Sequence, residues 1–296
     1  EAQGTPALTP SAFLRRLGLT LGMIKFPHTL FALPFAAAAA LAAARGLPPG
    51  RQLLGILLAM VGARSAAMAF NRLVDAALDK QNSRTASRHL PAGLLSRAYV
   101  TGFTVAASLA FLLACAWLNP LCLALSPVAL VWILGYSYAK RFTTASHLWL
   151  GVALGMAPVG AWAAVRGDLF SPAPWWLGLG VALWTAGFDL LYACQDAEFD
   201  RKAGLHAVPA RYGIPAALKL SSFLHILAMG GFLLFAQAAE MGSWTWGSLA
   251  VVGAVLLREH ALVKPDDLSR LDAAFFTANA AVSALVAAGV ALDILT

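Results

Sequence analysis

Asn71, Asp75 and Asp79 recur at intervals of four residues. On a helix all three side chains project from one face, with neighbours about 6 Å apart along the axis. Two carboxylates and an amide facing one way call for a cation between them. Oxygen-only ligands, with no His or Cys among them, suit a hard ion, Mg²⁺ before Zn²⁺. Arg84 and Arg88 follow just downstream, and guanidinium forks match phosphate oxygens. The motif ends an apolar run, so the chemistry it implies is the handling of a diphosphate with Mg²⁺ at a membrane edge.

A second stretch answers the first. Asp189, Tyr192, Asp196 and Asp200 lie at i, i+3, i+7 and i+11 at the end of another apolar run, with Arg201, Lys202 and Arg211 behind them. The spacing predicts one helical stripe, from which Glu198 falls away. A single DxxxD at a helix end is often a solvated terminus. Two such motifs, each closing a run of membrane length, point to one shared site.

The elements that must position these residues are membrane helices. The chain has 296 residues, of which 60% are hydrophobic and only 12% charged, with a mean hydropathy of +0.72. Soluble domains carry about 25% charged residues. Apolar runs near 20 residues, the length a 30 Å core requires, are read at Ile24–Ala44, Leu53–Val74, Tyr99–Leu118, Leu121–Ala139, His147–Val165, Trp175–Gln195, Ile214–Gln237, Trp244–Leu262 and Leu271–Leu295. The expectation is an all-α integral membrane bundle of about nine transmembrane helices around a central cavity. It forms a single domain over residues 1–296, with residues 1–22 as a polar tail and an interfacial helix. In that helix Phe13, Leu14, Leu17 and Leu21 share a face beside Arg15 and Arg16.

With the N-terminus inside, 17 of the 21 lysines and arginines fall on that side. This is a strong positive-inside asymmetry. It places both acidic segments at the cytoplasmic face of an inner membrane, where they can meet. It also accounts for the net charge of +7 without nucleic acid as a partner. Arg64 is left within the second apolar run, on the face of Asn71 and about 10 Å deeper, two helical turns away. Arg72 lies about 100° round from Asn71 and is expected to face phosphate, a neighbouring helix or lipid headgroups. Cys115, Cys122 and Cys194 read as small buried hydrophobes, His28, His147, His225 and His260 as packed or interfacial, and most tryptophans as interfacial belts.

Two rivals carry less. A transporter would spread its charges along a path across the bilayer, whereas here the acids cluster at one face. A phosphatidyltransferase using a CDP-alcohol would show a DGxxAR segment, which this sequence lacks.

Asn71-x₃-Asp75-x₃-Asp79-x₄-Arg84-Thr85-x₂-Arg88-x-Leu90-Pro91-x-Gly93, together with Asp189-x₂-Tyr192-Ala193-x₂-Asp196-x₃-Asp200, resembles the UbiA superfamily of intramembrane prenyltransferases. Lys25-x-Pro27 and Tyr136-x₃-Lys140-Arg141 fit the same pattern. One departure is Arg72, where many members have Asp. The resemblance implies transfer of a polyprenyl group from polyprenyl diphosphate to a small aromatic acid, a quinone precursor, with membrane lipid around the protein. It implies that Asn71, Asp75, Asp79, Asp196 and Asp200 hold Mg²⁺, and that Arg84, Lys140 and Arg88 bind diphosphate oxygens. Asp75, Asp196, Asp189 and Lys140 are the expected catalytic groups, Asp189 as base or as an outer ligand or cap. Tyr136, Tyr138 and Tyr192 would offer aromatic faces to an allylic cation, and Arg64 or Arg141 would grip an acceptor carboxylate. Asn71-Arg72-Leu73, Gly204-Leu205-His206-x-x-Pro209 and Lys25 to Phe31 look closest to members that act on 1,4-dihydroxy-6-naphthoate for menaquinone. 4-Hydroxybenzoate, for ubiquinone, is the other acceptor implied, and within the superfamily other acceptors remain open.

Overall fold

In hydrocarbon every peptide group must find its partner within the protein, so apolar runs of this length close into helices. The computed structural model describes residues 10–24, 32–265, 267–268 and 271–296. The elements are α1 (Pro10–Met23), α2 (Leu33–Ala44), α3 (Gly50–Gln81), α4 (Arg97–Leu118), α5 (Pro120–Ala139), α6 (Ser146–Arg166), α7 (Ala173–Ala193), α8 (Ala197–Lys202), α9 (Val208–Tyr212), α10 (Ile214–Ala238), α11 (Ser243–Leu262) and α12 (Leu271–Leu295). Apart from one isolated bridge, Lys264 to Asp267, the described residues form no β-structure.

Seven helices among the described residues are long and apolar enough to cross a membrane: α3, α4, α5, α6, α7 continued through α8, α10, and α12 from Thr277. Two of the nine expected spans stand apart from these. α2 is apolar but only 12 residues long, and the preceding Lys25 to Phe31 lie outside the described residues. α11 has the length, but Arg258 and Glu259 near its end make it less apolar. α1 presents Leu14, Leu17 and Leu21 outward, as a helix resting on a membrane surface would.

The loops are built from turn chemistry. Asn119 closes the α4–α5 hairpin: its Oδ1 accepts from Cys122 N–H at 2.9 Å, its Nδ2 donates to Ala163 O at 2.8 Å, and Pro120 occupies the first turn, where no N–H is needed. Ser96 caps α4 through Tyr99 N–H.

α7 is the axis of the bundle, packed between α6 and α10. Trp184, Leu177, Val181, Leu190 and Leu191 on it are fully or almost fully buried. Close approach there needs small residues, since apolar tails give helices in lipid no hydrophobic drive to associate. A Cβ on Gly151 or Gly155 of α6 would strike the carbonyls of Ala182 or Gly178 on α7. On α7's other flank the backbones of Gly180 and Gly231 are in direct contact. This tight packing fixes the height of Asp189 on α7 against α6. Lipid-facing side chains such as Leu113 and Val131 stay exposed on the outer helices.

Candidate functional site

The first acidic segment is the last third of α3, one uninterrupted helix of 32 residues. Asn71, Asp75 and Asp79 share a face, as their spacing predicts, and Asn71 Nδ2 donates to Asp75 Oδ2 at 3.3 Å. Asp75 and Asp79 are buried, at 3% and 5% exposure. Burying charges this deeply is tolerable only with partners, and the basic residues supply them. Lys140 Nζ lies 2.7 Å from Asp75 Oδ2, and Arg141 Nη2 lies 3.1 Å from Oδ1. Arg88 Nη1 lies 2.6 Å from Asp79 Oδ1. Arg72 is buried too. Its Nε donates to Met23 O at 3.4 Å and its Nη1 lies 4.0 Å from Asp79 Oδ2, so of the three surroundings open to it the neighbouring helix is the one it meets.

The second acidic segment differs from the single stripe its spacing predicts. α7 ends at Ala193, a 3₁₀ turn covers Cys194–Asp196, and α8 begins at Ala197. Beyond this turn, Asp196 meets the loop after α3. There Arg84 grips it through both carboxylate oxygens, with Nε donating to Oδ1 at 2.9 Å, and Asn82 Nδ2 donates to Oδ1 at 3.0 Å. Arg84 also donates to the Tyr192 hydroxyl at 3.2 Å and lies over that ring at 5.4 Å. Burial acts to lower the pKa of the Arg84 guanidinium, but its hydrogen bonds and charge attraction to Asp196 outweigh this and raise it above the ordinary arginine value. This clasp therefore holds at any physiological pH. Asp200 is half-buried and forms no ion pair among the described residues. Its backbone oxygen accepts from Leu205 N–H at 2.8 Å.

Asp189 lies deeper on α7, with Oδ2 2.7 Å from His147 Nδ1. Tyr136, half-buried on α5, stands within electrostatic reach of both Asp75 and Asp189. Arg64 lies on α3 toward the bundle interior, and its buried Nε has no hydrogen-bond partner. It forms no ion pair among the described residues, so the structure gives no support to a purely structural pairing with an acid.

Two participants carry little signal in the sequence. Asn82 sits between Asp79 and Arg84 in a polar stretch, and that position was its only signal. His147 reads as a packed histidine in sequence, yet it belongs to the site. His225 and His260 do pack as expected: His225 donates to Trp184 O at 3.1 Å and meets His260 at 2.9 Å, away from the aspartates. His28 and the Lys25 motif lie outside the described residues. Cys115, Cys122 and Cys194 are free and buried.

The donor set fits a hard divalent ion. It is all oxygen, and Asp79 Oδ2 is buried without a hydrogen-bond partner, a lone pair available for coordination. Among the described residues no three His, Cys, Asp or Glu side chains stand close enough to hold a metal by themselves. Lys140, Arg141, Arg88 and Arg84 occupy the carboxylate oxygens instead. An incoming metal–phosphate group would satisfy both partners at once, with the metal on the carboxylates and the phosphate oxygens on the freed cations.

The sequence profile of the UbiA prenyltransferase family matches residues 32–281. A 4-hydroxybenzoate octaprenyltransferase of Vibrio cholerae serotype O1 is 32% identical over 263 residues, covering 86% of this chain and 89% of that protein. One of Nitrosomonas eutropha is 31% identical over 257 residues, covering 86% and 87%. Among solved structures, the apo form of a UbiA homolog from Aeropyrum pernix K1 aligns with a TM-score of 0.83 at 34% identity, covering 91% of this chain and 98% of that one. A UbiA homolog from Archaeoglobus fulgidus bound to DMAPP and Mg²⁺ shares the fold, with a TM-score of 0.66 at 18% identity, over 90% of this chain and 98% of that one.

Proposed function

Because the chain belongs to the UbiA prenyltransferase family, we propose that it transfers a polyprenyl group from polyprenyl diphosphate to a small aromatic acid, with 4-hydroxybenzoate as the leading acceptor. The observation that carries this reading is the clasp of Arg84 and Asn82 on Asp196, which joins two acidic segments far apart in sequence into one oxygen-rich, cation-lined site at one end of a membrane bundle. The named relatives support the acceptor. A second acceptor, 1,4-dihydroxy-6-naphthoate, is favoured by the segments Asn71-Arg72-Leu73 and Gly204-Leu205-His206.

Prenyl transfer begins when the allylic C–O bond breaks and its electron pair leaves on diphosphate. Bound by Asn71, Asp75, Asp79, Asp196 and Asp200, Mg²⁺ would supply positive charge to that leaving group. Lys140, Arg84 and Arg88, released from the carboxylates they now hold, would bind the remaining phosphate oxygens. Such fixed donors aimed at developing charge account for about 3–4 kcal/mol each in dry sites. Tyr136 and Tyr192 would offer ring faces to the allylic cation, Tyr192 on the side that Arg84 leaves open, an attraction of about 1–2 kcal/mol where water is excluded. Arg64, with an uncommitted donor below Asn71, would hold the carboxylate of the acceptor, and Arg141 lies nearer the diphosphate end. The acceptor ring then attacks the cation, and the prenyl tail lies among lipid.

The decisive experiment offers purified protein one prenyl diphosphate with 4-hydroxybenzoate and 1,4-dihydroxy-6-naphthoate in competition, and identifies products by mass spectrometry. Prenylated 4-hydroxybenzoate should dominate and should disappear in EDTA. Full activity without a divalent ion would sink the mechanism. The charge asymmetry supports a site at the cytoplasmic face, so reporters fused after Asp79 and after Asp200 should both read cytoplasmic. Opposite readings would make a shared site impossible.

A further inference from the structure

Asp189 differs from the paired aspartates around it. Asp75, Asp79 and Asp196 each hold at least one permanent cation, while among the described residues Asp189 is paired to His147 alone. The protonation of this histidine follows from its neighbours. Val208 N–H points to Nε2 at 3.4 Å, and a backbone N–H can only donate. Nε2 therefore accepts, the single proton of a neutral imidazole sits on Nδ1, and Nδ1 donates to Asp189 Oδ2 at 2.7 Å. Burial ranks the two groups. The His147 side chain is 6% exposed and that of Asp189 is 20% exposed, so the carboxylate is the more accessible of the two and the imidazole is the more deeply buried. Oδ1 of Asp189 has no hydrogen-bond partner among the described residues, and Tyr136 lies nearby.

We infer that His147 is a positioning residue that holds Asp189 in place to take the ring proton of the acceptor. This rests on the proposed aromatic prenyl transfer. Once the ring's π pair has formed the new C–C bond, the attacked carbon carries both the prenyl group and its hydrogen. Asp189 Oδ1 accepts that hydrogen as a proton, the C–H pair restores the aromatic ring, and the proton passes to solvent after product leaves. His147 cannot be the base, since its only lone pair faces Val208. It keeps Oδ2 occupied so that Oδ1 faces the substrate. Through Val208 it also ties Asp189 to the start of α9 just beyond the second acidic segment, so the base is set only when that segment is folded over the site.

The test uses full-length protein with geranyl diphosphate, Mg²⁺ and 4-hydroxybenzoate, either unlabelled or deuterated on the ring. Asp189→Asn and His147→Leu should lower kcat by about 10²-fold, the usual share of a positioned base. The KM for geranyl diphosphate and the Mg²⁺ dependence should stay near wild type. Both variants should gain a primary isotope effect with the deuterated ring that wild type lacks, because proton removal has become limiting. His147→Asn, which keeps an N–H at the Nδ1 position, should recover much of kcat. If His147→Leu fails to fold, Asp189→Asn and His147→Asn still decide the matter by the isotope effect. A changed Mg²⁺ dependence, or slow variants with no isotope effect, would overturn the inference while leaving the transfer reaction standing. A wild-type enzyme that forms no prenylated arene would overturn both.

Discussion

The two acidic segments look alike in sequence, yet the molecule builds them differently. The first lies on an unbroken helix, and its acids are paired with Lys140 and Arg141 from beyond α5 and with Arg88 from the loop after α3. The second lies across a 3₁₀ turn and is more sparsely held: Asp196 by Arg84 and Asn82, Asp189 by His147, and Asp200 by no ion pair among the described residues. One side of the site is thus a rigid, charge-balanced platform. The other is a jointed arm that the Arg84 clasp fastens to it. A buried carboxylate on a continuous helix cannot move away from its neighbours, so it needs its cations before any ligand arrives. A carboxylate on a short, half-exposed turn can be left partly free.

The largest effect should come from breaking the platform. Asp75→Ala removes the common anchor of Lys140, Arg141 and Asn71 and should cut turnover by about 10³-fold or more. The stranded Lys140 and Arg141 side chains are 32% and 37% exposed and can turn to water. The variant should therefore still insert and elute as a monodisperse peak in size-exclusion chromatography. Turnover within tenfold of wild type would remove Asp75 from the centre of the site.

Unfastening the arm should cost less. Arg84→Leu should lower kcat/KM by about 10²-fold, and Arg84→Lys should restore only part of it, because one ammonium cannot span both Asp196 oxygens. Equal activity of Leu and Lys variants would mean that charge, rather than the bidentate grip, matters there. A third measurement sharpens the boundary of the platform. Arg64→Leu should raise the KM for the aromatic acid by about 10-fold or more, the worth of a charge-assisted hydrogen bond, and leave the KM for the prenyl diphosphate unchanged. Equal rises in both would take Arg64 out of the acceptor site. The smallest effect is expected on the free end of the arm. Asp200→Asn breaks no ion pair among the described residues, so thermal stability should hold while the Mg²⁺ needed for half-maximal activity rises by about 10-fold. A fall in Tm with unchanged Mg²⁺ dependence would give Asp200 a structural role instead.

Much of this site was legible because its signal is local. The i, i+4, i+8 spacing of Asn71, Asp75 and Asp79 fixes their common face on any helix, and charge beside an apolar run marks a membrane boundary. The same rule misled for Asp189, Asp196 and Asp200. A regular spacing cannot announce the 3₁₀ turn at Cys194–Asp196, because the partners that hold Asp196 there, Asn82 and Arg84, come from the loop after α3. The count of nine spans is not fixed by the described residues, since α2 has 12 described residues and α11 is less apolar than the seven clear spans.

Composition and periodicity determined that this chain is a helical membrane protein with two acid-rich segments in reach of basic residues, since both follow from the cost of exposing peptide groups and charge to hydrocarbon. Only the tertiary structure decided which cation meets which carboxylate, that Asn82 shares in the clasp, and that His147 pairs with Asp189. Those pairings join residues far apart in sequence, and that of His147 with Asp189 follows from how closely α6 and α7 approach through Gly151, Gly155 and Gly178. A glycine in a sequence says that backbones could touch there. Which backbones do touch is settled only when the whole bundle packs.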